Sequence, residues 1–519
     1  MRFIFESIYK IFLLGIVVFS IFIFFVDFVH LKFITADGSI YLNIAENIAN
    51  HKGFVVSYNL CQCFKGLYHP IWAYYQPLYP IFASFFISHG GMVEVIKANI
   101  VLFALNVILV FYIVEEIIPS FFNLLFSFFL VISINFYLSA LFAWTEQLHF
   151  FCFIVTFILF LKFKDNPKHL LWLGFLNGIF MLIRVAHLYN FLAYLPVIFI
   201  GKDSLREKFN RVLSFVGGFT LAYGTYQLFC LLFYHTFYPY YARPGASYGL
   251  MRFDSGIVYD LNKVGLQVSL GSVFSLQHLS YVGEHLRDFY KQMPNFLWPA
   301  LFYYFLPVKK RLEGGLIELC FLQSIFTVFG YSLTFYWLKF SFDALRYSMI
   351  PFVLISVVGW YCLYQGLQLS ESIGRKLFGL LVLGCLFLSP QVHKAMVFRN
   401  TAFNHPLSGT HSYRDMLASY AWINKNLPKE VLVASWEDQA AYYMHRPFIS
   451  IPPGKAFNCT NLNLFNRIYS PDYYFLISNI SDKCFVLIPH QEIYSNRTFR
   501  ILEVKKNKSG EMKLDKKAE

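Results

Sequence analysis

Apolar runs of about 17 to 25 residues recur between Ile11 and Pro390, each long enough to carry an α-helix across a hydrocarbon core about 30 Å thick. Helices are expected near residues 11–29, 94–114, 120–140, 146–162, 170–183, 188–200, 212–236, 294–307, 315–338, 346–367 and 376–390. After Pro390 the runs stop, and Lys, Arg, Asn, Asp and Pro mix with short β-prone stretches such as Val431-Leu-Val-Ala and Phe485-Val-Leu-Ile. The expected fold class is a polytopic α-helical membrane protein of about 11 transmembrane helices with a small C-terminal α/β extracytoplasmic domain. The membrane domain covers residues 1–390, the α/β domain 391–504, and a Lys-rich tail read as disordered 505–519. Ile11 to Val29 follows Arg2 and Lys10 as a secretory signal would, but no small-residue cleavage site comes after it. It therefore reads as a retained helix that leaves the membrane at Asp27 and His30.

Composition supports lipid as the main solvent. With 57% hydrophobic and only 14% charged residues, the chain lacks the polar surface that a soluble globule of 519 residues needs. The net charge of +13 is spread over short inter-helix loops and the tail, without an aromatic-interleaved basic patch, so it gives no reading as a nucleic-acid binder. The positive-inside rule accounts for it. With the N-terminus cytoplasmic, Lys162/Lys164/Lys168, Lys202/Arg206/Lys208/Arg211, Lys309/Lys310/Arg311 and Arg375/Lys376 all fall in cytoplasmic loops. That orientation puts the loops of residues 30–93 and 237–293, and the C-terminal domain, on the far side. Cys61, Cys63, Cys459 and Cys484 lie there too, and the sequence permits a Cys459–Cys484 bridge. Cys61-Gln-Cys63 lacks a second ligand pair at zinc-site spacing. No internal repeat is evident.

Topology gathers several ionisable residues at the outer face. Asp37 follows the first helix, Glu146 opens the fourth in Trp144-Thr-Glu-Gln-Leu-His149, Arg184 closes the fifth in Met181-Leu-Ile-Arg-Val-Ala-His187, and Arg346 opens the tenth in Asp343-Ala-Leu-Arg-Tyr347. Charges at such depth are costly unless paired or facing a wet cavity, so their convergence points to a polar pocket in the outer leaflet. Each has a structural reading as well. Glu146 and Arg184 can be an ion pair between neighbouring helices, Asp37 the N-cap of a helix running from Gly38 to Asn50, and Arg346 a snorkelling interfacial cation. His69-Pro-Ile-Trp and Gln76-Pro-Leu-Tyr-Pro80 carry too many prolines for one spanning helix and read as short helices along the membrane surface. The loop Phe237 to Met293, with Arg243-Pro-Gly-Ala, has the length of a lid or binding loop, or of a disordered segment.

At these residues the sequence resembles the polyprenyl-phosphate-dependent membrane glycosyltransferases of the GT-C superfamily, in particular bacterial relatives of protein mannosyltransferases and of lipid A aminoarabinose transferases. The landmarks come in order. They are Ala36-Asp-Gly-Ser-Ile-Tyr-Leu-Asn-Ile-Ala45 with Gly53-Phe54, Gln76-Pro-Leu-Tyr-Pro80, Thr145-Glu146, Gly174-Phe-Leu-Asn-Gly178 with Arg184, and Arg346-Tyr347 with Pro351. Ala421-Trp-Ile-Asn-Lys-Asn-Leu-Pro428, Val433-Ala434 and Tyr442 to Arg446-Pro447 resemble the extracytoplasmic domain that follows the last helix in many such proteins. The Trp-Trp-Asp-Tyr-Gly motif of oligosaccharyltransferases is absent, and the acidic pair frequent after the first helix is here Asp37 followed by Gly38.

The resemblance implies transfer of a sugar from a polyprenyl-phosphate-linked donor to a cell-envelope acceptor (lipid A, another glycan or a protein) by an inverting displacement. Asp37 is then the general base and Glu146 the second catalytic-site carboxylate. Arg346 leads the candidates for holding the donor phosphate, with Lys97, Arg243, Lys65 and His69. Arg184, Tyr79, Tyr347 and Tyr41 shape the pocket. No cofactor is required, and a divalent metal is compatible with the chemistry. The competing readings are a lipid-linked-sugar transporter or flippase, which predicts repeat symmetry and broken helices, and a non-catalytic membrane scaffold. The sequons at Asn458, Asn479, Asn496 and Asn507 belong to a pattern meaningful on a eukaryotic luminal domain. The compact loops and the landmarks look bacterial instead, which places the protein in the inner membrane with its site facing the periplasm.

Overall fold

A computed structural model describes residues 11–20, 22, 36–56, 71–72, 76–133, 136, 138–199, 204–234, 287, 315–338, 348–368, 379, 413–435, 440–451, 466, 470–477 and 488–506. In chain order the elements are α1 (Ile11–Ser20), α2 (Ala36–Ala49), β1 (Val55–Val56), β2 (Ile71–Trp72), α3 (Leu78–Gly90), α4 (Met92–Glu115) and α5 (Ser120–Ile132). After a 3₁₀ turn at Leu138–Ala140 come α6 (Glu146–Phe163), α7 (Pro167–Phe180), α8 (His187–Phe199), α9 (Leu205–Tyr234), α10 (Gly315–Leu338) and α11 (Met349–Gln368). The chain ends in α12 (Tyr413–Asn426), β3 (Val433–Ser435), α13 (Ala440–Tyr443), β4 (Phe448–Ser450), β5 (Tyr473–Ile477), β6 (His490–Ser495) and β7 (Phe499–Val504). These elements form two compact units, one drawn from Met1–His30, Val95–Leu228 and Gln267–Arg399, the other from Leu31–Glu94, Phe229–Leu266 and Asn400–Glu519.

The first unit is helical. Among the described residues four helices are long and apolar enough to cross a membrane, Met92–Glu115, Glu146–Phe163, Leu205–Leu232 and Met349–Gln368. Shorter apolar helices lie at Ile11–Ser20, Phe122–Val131, His187–Phe199 and Gly315–Tyr331. The segment expected near 294–307, and that near 376–390 apart from residue 379, lie outside the described residues. Large apolar side chains such as Phe19, Val101, Tyr112, Trp172 and Leu221 stand exposed along these helices, a surface that a lipid solvent covers.

Helix ends follow local chemistry. Asn166 caps α7 by accepting the Lys168 N–H, and Pro167 occupies the first turn, where a missing N–H costs nothing. Ser204 and Glu207 form a capping box that starts α9 at Leu205, ahead of the expected 212, because its first two turns are charged rather than apolar. The single helix expected over 120–140 ends instead at Ile132, with Ser133 extended. The Phe136 carbonyl beyond the break receives Gln147 Nε2–H at 2.9 Å and Ser139 Oγ–H at 2.9 Å.

Two features set the packing of this unit. α7 and α9 cross at glycines so closely that a Cβ at Gly174 would overlap the Phe215 carbonyl, one at Gly178 would crowd the Phe219 carbonyl and Ala222, and one at Gly218 would overlap the Leu171 carbonyl. Small residues spaced four apart let helix backbones approach in this way. Aromatic rings fill the remaining seams, with Phe191 stacked on Phe215 and Phe219 at 4.8 and 4.0 Å, and Trp360 donating Nε1–H to the Phe122 carbonyl at 3.0 Å.

The second unit contains a five-stranded sheet of order β4-β3-β5-β7-β6, parallel across β4, β3 and β5 and antiparallel across β5, β7 and β6. α12 packs on it through Met416, Tyr420 and Ile423, at helical spacing, with Leu427 just past its end. Arg446 closes the C-terminal end of α12 by donating to the carbonyls of Ile423 and Asn424 at 2.8 and 2.9 Å. α2 joins the same core, since Ile40 and Ile44, one turn apart, lie buried among Val433, Ala440, Met444, Phe448 and Phe475. The stretch expected as surface helices around His69 and Gln76 divides into a strand and a helix. Ile71–Trp72 pairs antiparallel with Val55–Val56, and α3 begins only after Pro77. The Phe485-Val-Leu stretch, Cys61, Cys63, Cys459 and Cys484 lie outside the described residues, whereas Cys152, Cys230, Cys320 and Cys362 are buried.

Candidate active site

The richest polar cluster of the first unit stands where α6 begins. Glu146 is the first residue of that helix, a position where the backbone N–H groups and the helix dipole favour a carboxylate. Its Oε1 accepts Arg184 NH1 at 2.5 Å, with the glutamate side chain 2% and the arginine side chain 12% exposed. Arg184 was expected to close the fifth helix. α7 ends earlier, at Phe180, and Arg184 sits in the turn of residues 181–186 that leads into α8. The ion pair thus joins a helix start to a connecting turn in an apolar surround, where leaving either partner alone costs about 3–5 kcal/mol.

One turn further along α6, His149 Nε2 lies 3.1 Å from His187 Nδ1, and His187 Nε2 lies 2.9 Å from Asn177 Oδ1. Glu146 and His149, three residues apart on α6, share one helix face, and their partners Arg184 and His187 stand in the connecting turn and at the start of α8. A second network runs from the other side of α6. Asn106 Nδ2–H donates to Gln147 Oε1 at 2.9 Å, and Gln147 Nε2–H donates to Ser139 Oγ at 2.7 Å. Deeper in the unit, Thr327 Oγ1–H donates to Asn190 Oδ1 at 3.1 Å and Gln323 Nε2–H to the Asn190 carbonyl at 2.9 Å.

In the second unit, α2 carries Asp37 in its first described turn, followed by Tyr41, Asn43, Glu46 and Asn47. The helix starts at Ala36, one residue before the position expected for a capping Asp37; the side chain of Asp37 is not among those described. Tyr41 and Tyr79 are both buried, packed edge to face with ring centroids 5.2 Å apart, so they join α2 to α3. Asn47 Nδ2–H donates to the Val55 carbonyl at 2.9 Å and ties α2 to β1. Glu46 lies beside Tyr442 of α13, whose hydroxyl accepts the Met92 N–H at 3.1 Å. Burial pushes the Glu46 carboxyl up to about 7, with the Lys52 charge acting in the opposite sense. Burial, helped by the Glu46 charge and opposed by the Met92 N–H, pushes the Tyr442 hydroxyl up to about 12.

The expected site residues therefore fall into three groups. Glu146 and Arg184 meet in the first unit, where Lys97 also lies, half-buried on α4. Asp37, Tyr41 and Tyr79 belong to the second unit. Arg346, Tyr347, Arg243, Lys65 and His69 lie outside the described residues. Sequence reasoning missed Gln147, Asn177 and the His149–His187 pair. The signal for the histidines was present in the shared three-residue offset from Glu146 and from Arg184. Among the described residues no group of three His, Cys, Asp or Glu side chains could hold a metal ion.

No protein-family model matches the sequence, and no curated protein matches it. Solved structures share its fold. The oligosaccharyltransferase AglB from Archaeoglobus fulgidus, in complex with an inhibitory peptide and a dolichol-phosphate, superposes with a TM-score of 0.54 at 12% identity, over 94% of this chain and 74% of that one. ArnT from Cupriavidus metallidurans bound to undecaprenyl phosphate gives 0.53 at 11% identity, over 95% of this chain and 97% of that one. The same ArnT in the apo state gives 0.52 at 10% identity, over 96% and 98%. At these identities the likeness is one of fold.

Proposed function

We propose that this chain, which has the GT-C glycosyltransferase fold, moves a sugar from a polyprenyl-phosphate-linked donor to a cell-envelope acceptor (lipid, glycan or protein) at the outer face of a bacterial inner membrane. The observation that carries the reading is the buried Glu146–Arg184 pair at the mouth of α6, an ionic group retained inside an apolar helical unit. The fold adds weight, because the neighbours it matches were solved with dolichol-phosphate and undecaprenyl phosphate. The orientation that goes with the reading has the N-terminus cytoplasmic and the C-terminal domain periplasmic.

The reaction is a single displacement. The acceptor oxygen attacks the anomeric carbon, the bond from that carbon to the phosphate oxygen breaks, and the sugar inverts. The acceptor's proton passes to the Asp37 carboxylate, and the polyprenyl phosphate leaves as an anion. Arg346, Lys97, Arg243, Lys65 and His69 hold the diester and then the developing phosphate charge. Glu146 and Arg184 brace and polarise the pocket, and Tyr41, Tyr79 and Tyr347 shape its walls.

The test incubates the protein in lipid with radiolabelled polyprenyl-phosphate sugars and membrane extract, comparing wild type with Asp37→Asn and Glu146→Gln. Wild type should transfer label to the acceptor. Asp37→Asn should lose at least about a hundredfold, the scale of a lost general base. Equal transfer by wild type and Asp37→Asn removes Asp37 as the base, and binding of donor without its consumption sinks the transferase reading.

A further inference from the structure

We propose that His149 and His187 are positioning residues, a neutral and directional imidazole pair that pins the turn carrying Arg184 against α6, so that the Arg184–Glu146 contact keeps the geometry in which it braces the pocket. The proposal rests on the transferase reading for its catalytic consequence, but its structural core does not.

The turn of residues 181–186 interrupts regular helix and is held internally by short-range backbone bonds, Leu182 N–H to the Ile179 carbonyl at 2.8 Å and Ile183 N–H to the Phe180 carbonyl at 3.0 Å. The residue three positions after Arg184 adds contacts that reach beyond the turn. His187 uses both ring nitrogens, one toward His149 of α6 and one toward Asn177 of α7, while its backbone N–H donates to the Arg184 carbonyl at 3.0 Å. One imidazole at the start of α8 thereby ties the two neighbouring helices to the turn. His149 stands three residues after Glu146, so the imidazole rung sets the separation at which the ionic rung closes.

Proton counting gives the chain a direction. Asn177 Nδ2–H donates to the Leu173 carbonyl at 2.7 Å, which orients the amide and makes its Oδ1 the atom facing His187. An amide oxygen only accepts, so His187 Nε2 carries a proton. In a neutral ring Nδ1 is then the acceptor, and the proton in the 3.1 Å contact belongs to His149 Nε2. With both rings neutral, each is therefore the Nε2–H tautomer. A further proton on His187 would set two N–H donors head to head beside the Arg184 guanidinium, whose carboxylate partner Glu146 is already engaged. The α7 side chain that meets His187 is the uncharged Asn177, which supplies no counter-charge.

Two measurements decide it. In protein labelled with ¹⁵N-histidine and reconstituted in lipid at a pH of about 7.5, both rings should report bare Nδ1 and protonated Nε2, with the remaining histidines separated by His149→Gln and His187→Gln spectra. An Nδ1–H tautomer on either ring, or an imidazolium, overturns the proposal. In the transfer assay His149→Leu should lower kcat by about tenfold or more with donor KM within about twofold, the pattern of a lost orientation rather than lost binding. His149→Gln, which keeps a donor at the Nε2 position, should recover to within about threefold of wild type. Equal losses in the two variants, or a normal kcat per folded molecule in His149→Leu, overturn it. A wild type that transfers no sugar refutes the proposed function, and the tautomer measurement then decides the imidazole pair alone.

Discussion

Glu46 shows how one side chain gives the second unit a pH dependence. Its carboxyl is raised from 4.5 to about 7 by burial, so between those pH values the folded chain holds a proton that the unfolded chain has released. Stability falls as pH climbs through that window, and above it the full cost of the buried charge remains, reduced by Lys52. At 1.36 kcal/mol per pH unit the cost is at most about 3 kcal/mol. Glu46→Gln should therefore raise the thermal unfolding midpoint clearly at a pH near 8 and leave it almost unchanged near 4.5. A shift of equal size at both ends would mean that the carboxylate is not destabilised there. The sequence did not expose this, since Glu46 sits in an ordinary helical pattern and one neighbour that feels its charge, Tyr442, stands hundreds of positions away. Glu146 and Arg184 were readable because a charge beside a long apolar run is conspicuous wherever its partner lies. The histidines stand close to them in the sequence but show no role there, because an imidazole's task depends on what each nitrogen meets.

At the scale of elements, the long apolar helices were readable because composition alone decides them, and their ends were not. α9 starts in charged residues under a Ser204–Glu207 capping box, and α5 stops at Ile132 although apolar residues continue to Leu141. Hydropathy registers neither event, since one is a local hydrogen-bond pattern and the other a break beyond which the buried Phe136 carbonyl accepts from Gln147 of another helix. The strand at Ile71–Trp72 is likewise invisible without its partner at Val55–Val56. The glycines of Gly174-Phe-Leu-Asn-Gly178 are legible as a small-residue spacing, and the structure supplies the partner, Gly218 with the carbonyls of Phe215 and Leu171. Gly174→Leu has no room without separating α7 from α9, and overpacking of this kind costs about 1–3 kcal/mol or more. Its thermal midpoint in detergent should fall by several degrees, while Gly217→Ala, where an added Cβ meets nothing within 4 Å, should match wild type. Equal midpoints for Gly174→Leu and wild type would show that the helices do not cross at this contact.

The arrangement of the whole chain is where sequence reading was least able to follow. It separated a loop of residues 30–93 from a C-terminal domain, whereas α2 contributes Ile40 and Ile44 to the core formed by α12, α13 and the five-stranded sheet. Periodicity reveals that α2 has a buried face and is silent about what covers it; a hydrogen bond such as Met92 N–H to Tyr442 spans 350 positions. The consequence reaches Asp37, which stands two turns before Ile44 on the same helix. Its placement is governed by the core that holds α2. Removing the Ile44 side chain beyond Cβ empties space in a core where that residue is 0% exposed, at a cost of about 2–5 kcal/mol. Ile44→Ala should therefore loosen α2 from the sheet, speeding limited proteolysis of the second unit and lowering transfer, while Asn50→Ala at the exposed end of the same helix should change neither. If cleavage quickens yet transfer per intact molecule holds, Asp37 does not depend on this core. If cleavage itself is unchanged, α2 is not anchored by the C-terminal sheet.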